Sequence, residues 1–150
     1  MISLHDYITV LMPSSPVPSH PSVGVTLDSI ARLRSYPELK ECEIIIMLDG
    51  VRAEQEHRRD DYEEYKRRLS WLRLHNVRLM EFPKHSHQAT MTREALETVK
   101  TSIVYFVEHD TYAFGENPLA TIHSHHERGR TGNPAAHFPR NPAGTRAPVS

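Results

Sequence analysis

The chain has 150 residues, with 18 Lys plus Arg against 19 Asp plus Glu. That length fits one domain, and the balanced charge lacks the basic excess that coating nucleic acid demands. One cysteine, Cys42, permits no disulfide within the chain, so a reducing, cytoplasmic setting is expected.

The N-terminus, MISLHDYITVLMP, has no basic region leading into a long apolar core, so no signal peptide is expected. No apolar run approaches the roughly 20 residues of a membrane span, which predicts no integral membrane segment. The first strand is predicted over Tyr7 to Met12. The stretch PSSPVPSHPS after it, Pro13 to Ser22, is proline-rich. Its prolines read as loop stiffening, and Ser14 and Ser15 suit either ligand binding or local capping. A first helix follows from about Ser22 to Ser35, with Val23, Leu27, Ile30 and Leu33 at helical spacing, and Pro37 helps stop it.

The second strand is predicted over Glu43 to Leu48, a nearly continuous apolar run of the kind that helices cover on both faces. Asp49 and Gly50 follow, which fits either a turn or a carboxylate placed for a ribose or base. A second helix is predicted over about Ala53 to Leu74, with Tyr62, Tyr65, Leu69 and Leu72 as its apolar stripe. Asp60 and Asp61 read as solvent-facing, and Trp71 reads as core or helix packing. The third strand is predicted over Val77 to Phe82, followed by PKHSHQ. In that stretch Lys84, His85 and His87 suit either a solvated turn or an anion. The third helix is predicted over about Thr90 to Lys100, with Met91, Ala95, Leu96 and Val99 inward.

The fourth strand is predicted over Ser102 to Glu108 and ends in Glu108-His109-Asp110. Acids on alternate residues of an extended segment point the same way. Buried carboxylates need a cation or donor nearby, so the pair suits a hard divalent ion that shares ligands with phosphate.

The strand–helix alternation predicts a Rossmann-like α/β fold. Its parallel sheet has strand order 3-2-1-4 and helices on both faces. The switch point then falls between strands one and four, and ligands bind there at the carboxyl ends of strands. GxGxxG and GxxxxGK[ST] are both absent, which argues against a dinucleotide dehydrogenase and a P-loop hydrolase. A response-regulator-like domain is disfavoured because the first strand ends in MPSS, without an acid.

From about Thr111 the composition turns to Pro, Gly, Arg and His. A domain over residues 1–115 and a disordered tail over 116–150 are therefore expected. His123, His125 and His126 read as incidental composition there.

YITVLMPSSPVPSHPS, EIIIMLDG, VRLMEFPKHSHQ and IVYFVEHDT, in this order, resemble the nucleotide-binding half of family 2 glycosyltransferases, the A-type nucleotide-diphosphosugar enzymes. The resemblance covers roughly residues 5–112 and rests on order and spacing. It implies that Pro13, Ser14 and Ser15 line the nucleoside and that Asp49 meets the base or ribose. Glu108 would face the ribose, in company with His109, and Asp110 would ligate Mn2+ or Mg2+. Lys84 and His87 would reach the diphosphate. The partner implied is a nucleotide-diphosphate sugar donor, whose sugar passes to an acceptor hydroxyl with inversion as the nucleoside diphosphate leaves.

Family members continue well past the metal motif into an acceptor half that carries the catalytic base. Here about 40 residues follow Asp110, no base is assigned, and a truncated or frameshifted product is expected. The alternative is an inactive remnant or a non-catalytic nucleotide-binding module.

Overall fold

The computed structural model describes residues 4–16 and 22–110. All of them fall in the first of two compact units, Met1–Asn117. The second unit, Pro118–Ser150, lies outside the described residues, as do the expected disorder of the tail and its histidines.

Four parallel strands form one sheet in the order β3-β2-β1-β4. They are β1 (Ile8–Ser14), β2 (Glu43–Leu48), β3 (Val77–Glu81) and β4 (Ile103–Phe106). The helices are α1 (Val23–Arg34), α2 (Arg59–Leu72) and α3 (His87–Thr98). The predicted topology and the bounds of β2 are those observed.

Side chains alternate across a strand, so β1 and β2 feed two faces. Leu11, Ile45 and Met47 pack with Met91 and Ala95 of α3 and with Phe82. The other face receives α1 and α2, which are tied together where the Tyr65 and Thr26 hydroxyls lie 2.9 Å apart. Ile44, Ile45 and Ile46 are fully buried, and each such side chain contributes about 1.5–3 kcal/mol relative to exposure. Below the sheet, the Arg34 guanidinium at the end of α1 donates to the carbonyls of Lys40, Cys42, His75 and Asn76. It thereby pins the entries to β2 and β3. Burial lowers its pKa, and Glu41 opposes that.

Several elements differ from expectation. The predicted helix over Ala53 to Leu74 is a 3-10 turn, Ala53–Arg58, leading into α2. Arg73 and Asn76, with φ of 43° and 50°, close the far end in the left-handed region. Helix α3 starts earlier than predicted, at His87.

Trp71 is 78% exposed, and Leu72 and Leu96 are also exposed. Trp71 follows the inward Leu69 by two residues, which turns it away from the sheet at 3.6 residues per turn. Arg67 covers its ring instead, 5.5 Å from the centroid.

Strand β4 stops at Phe106, before the acids, and is half-buried. Strand β1 runs on through Pro13 and Ser14, which were expected in a loop. Proline is tolerated there because β4 no longer pairs at that level: the last β1–β4 partners are Leu11 and Phe106.

Candidate functional site

A cleft of about 390 Å³ opens at the carboxyl ends of the strands. The order β3-β2-β1-β4 puts the switch point there, where open parallel sheets bind ligands. Of the residues proposed from sequence, Pro13, Ser14, Ser15, Asp49, His87, Glu108, His109 and Asp110 all line it. Lys84 is exposed and is not among the lining residues.

The EHD segment divides its work. Glu108 and Asp110 are exposed and line the cleft, whereas His109 is buried between them. The alternation is not that of a strand, because His109 and Asp110 form a turn beyond β4. The His109 ring holds it in place: Nδ1 lies 3.1 Å from the Pro13 carbonyl oxygen. A carbonyl only accepts, so Nδ1 carries the proton. The Ser29 hydroxyl of α1 donates to the His109 carbonyl at 2.8 Å. His109 thus takes over from the backbone of β4 in pairing with β1, and it anchors the turn that carries both acids.

Ser14 is also committed to the protein. Its hydroxyl lies 3.0 Å from that of Tyr65. Its carbonyl accepts from Asp49 N at 2.9 Å and from the Tyr62 hydroxyl at 3.3 Å. Burial raises the pKa of both tyrosines above the usual phenol value, with the Ser14 and Thr26 hydrogen bonds partly opposing it at Tyr65. Ser15 is half-buried and completes the β1 rim.

Asp49 is 3% exposed. Its Oδ1 accepts from Gly50 N at 2.8 Å and from Ser86 N at 2.7 Å. Its Oδ2 lies 2.8 Å from His85 Nδ1. The carboxylate therefore ties the end of β2 to the loop between β3 and α3. That loop lies directly on Gly50, where an added Cβ would fall 2.2 Å from the Lys84 carbonyl carbon and 2.4 Å from His85 N. Gly50 is there for close approach of two backbones, more than for a turn.

Four lining residues were not singled out from sequence as contacts, Arg52, Gln55, Gln88 and Met91, and His85 was read there as a turn or anion residue. His85 accepts at Nε2 from Arg52 Nε at 2.9 Å and meets the His87 ring edge-on with centroids 4.2 Å apart. His85 stood within the quoted PKHSHQ stretch. Gln55 lay inside the stretch predicted as helix and Arg52 just ahead of it; in the structure Arg52 is the extended residue that precedes the 3-10 turn carrying Gln55.

The donor set suits a hard cation. Among the described residues no group of three or more His, Cys, Asp or Glu forms a ready cage. Magnesium or manganese commonly rests on one or two carboxylates, with water and substrate phosphate completing the shell. Glu108 and Asp110 fit that arrangement.

No family model matches the chain, and no curated protein matches it. A solved structure, that of S. aureus TarS 1-349, a glycosyltransferase, is similar in fold. The TM-score is 0.52 at 19% sequence identity, and the match covers 80% of this chain and 33% of that chain. This chain thus spans about a third of the TarS chain's length. No helix among the described residues is long and apolar enough to cross a membrane. The parallel order β3-β2-β1-β4, the cleft at its switch point and the similarity to TarS together make this a glycosyltransferase-like fold.

Proposed function

We propose that the cleft binds a nucleotide-diphosphate sugar together with Mn2+ or Mg2+, as the donor-binding half of a family 2 glycosyltransferase domain. The observation that carries this is the exposed pair Glu108 and Asp110, held by His109 at the switch point of a glycosyltransferase-like fold. Asp110 holds the metal and Glu108 faces the ribose. Pro13 and Ser15 line the nucleoside, and Ser14 and His109 shape the rim from behind. A bound divalent ion supplies charge neutralisation of the departing diphosphate.

Neighbouring strands lie about 4.8 Å apart, so the β2 end stands roughly 10 Å from the end of β4, beyond which the acids lie. That wall takes the nucleoside end of the ligand. His87, beside His85, lines the cleft as well, and with Lys84 it is the candidate for diphosphate contact. Transfer to an acceptor hydroxyl needs a general base as well. The activity proposed for the described cleft is the donor-binding step.

A thermal-shift titration with UDP, GDP and dTDP, each with and without Mn2+, tests this on the full chain. A ligand at 100 times its Kd stabilises by about 2.7 kcal/mol. The expected result is an upward shift that needs both nucleotide and metal and disappears in Asp110→Ala. A cooperative melt that no nucleotide–metal pair moves would sink the proposal.

A further inference from the structure

Asp49 lines the cleft with a carboxylate that already holds three protein partners. Two backbone N–H groups fill Oδ1, and His85 takes Oδ2. What that carboxylate supports is a relay ending in a guanidinium. Arginine can only donate, so His85 Nε2 is an acceptor and its proton sits on Nδ1, facing Asp49. Asp49 fixes His85, and His85 fixes Arg52 through Nε. The two terminal nitrogens of Arg52 have no protein partner among the described residues.

Gln55 stands three residues on, across the start of the 3-10 turn Ala53–Arg58. Arg52 is the extended residue that opens the turn, its carbonyl accepting from Gln55 N at 2.9 Å, and both Arg52 and Gln55 line the cleft. One offers donors only; the other offers an amide with a donor and an acceptor.

We infer that Arg52 and Gln55, held by the Asp49–His85 relay, select the nucleotide by its base and require an imide edge, a carbonyl beside a ring N–H. The inference rests on the donor-binding reading above. Uracil, thymine and guanine share that edge. Arg52 donates to the carbonyl, and the Gln55 amide oxygen accepts from the ring N–H. Cytosine and adenine present an amino group where the carbonyl would be, setting donor against donor at Arg52. Glutamine can turn its amide to suit either edge; arginine cannot. Arg52 is therefore the discriminating residue, and His85 is a positioning residue.

Calorimetric titration of the full chain with UDP, dTDP, GDP, CDP and ADP at equal Mn2+ tests this. The expected result is that at least one of the first three binds about tenfold or more tighter than CDP and ADP. The pattern among the three identifies the base. In Arg52→Ala that nucleotide weakens by about tenfold while CDP holds or tightens. In His85→Ala the ratio narrows with CDP unchanged. Arg52 is exposed and Gln55 half-buried, so melts of Arg52→Ala and Gln55→Ala should match wild type.

If wild type binds all five within about threefold, the inference falls and the donor-binding reading stands. Equal weakening of all nucleotides in Arg52→Ala also overturns it, pointing to a phosphate contact. If wild type binds none, both readings fall together.

Discussion

Asp49 holds the ring of His85, with Oδ2 2.8 Å from Nδ1, while its other oxygen takes the N–H groups of Gly50 and Ser86. One buried carboxylate thus joins β2 to the loop before α3. Asp49→Ala strands these donors and is expected to cost about 2–4 kcal/mol. Asp49→Asn keeps an oxygen for the two backbone donors but turns an amide donor toward Nδ1–H, so the stability loss is smaller. His85 then releases Arg52 to relieve the conflict. Urea unfolding of both variants checks the order, and a double-mutant cycle with His85→Ala measures the coupling. Equal stability of Asp49→Ala and wild type would mean the hub contributes nothing.

Gly50 is the second constraint on the same junction. An added Cβ meets the backbone of Lys84 and His85, which no side-chain rotation relieves. Gly50→Ala is expected to destabilise by roughly 3 kcal/mol or to push the 84–87 loop off the cleft. The paired measurement is the melting midpoint and the nucleotide affinity. A variant normal in both would show that the loop does not need this approach.

The sheet was legible because its signals are periodic and strong. The apolar run from Glu43 to Leu48 has no alternative but a strand covered on both faces, and the alternation of elements leaves few windings. The acids beyond β4 were legible for their type. What holds them was not, since the His109–Pro13 contact joins residues 96 apart in sequence. Gln55 was hidden because a charged run reads as helix surface whichever helical form it takes, and Arg52, just ahead of that run, belongs to no motif. Trp71 was misread because size alone suggested core; its phase relative to Leu69 decides its exposure.

His87 opens α3 at φ 61°, in the left-handed region. A side chain with a Cβ pays about 1–2 kcal/mol there, and glycine does not. Glycine also loosens the unfolded chain, which returns part of the gain. His87→Gly is therefore expected to be more stable than His87→Ala by roughly 1 kcal/mol. Both lose the edge contact with His85, so the comparison isolates the backbone. Chemical denaturation of the two variants decides it, and equal midpoints would show that no strain is stored at this position.

Cys42 gives the fold an alkaline limit. The thiol is fully buried, and that burial pushes its pKa from an ordinary 9.0 up to about 11; Arg34 pulls it down and Glu41 pushes it further up. The folded state holds this proton more tightly than the unfolded chain does. The stability it brings is whole below pH 9 and is lost as pH climbs toward about 11. Roughly 1 kcal/mol should go between about pH 9 and pH 10. Tyr62 and Tyr65, raised from 10.0, add their own losses above that. Cys42→Ala should start about 1 kcal/mol less stable at neutral pH, for the lost packing. From about pH 9 to pH 10 it should then decline by about 1 kcal/mol less than wild type, the loss from Tyr62 and Tyr65 being common to both proteins. Urea midpoints measured from pH 7 upward test the difference in shape, and parallel curves for the two proteins would place the alkaline limit elsewhere.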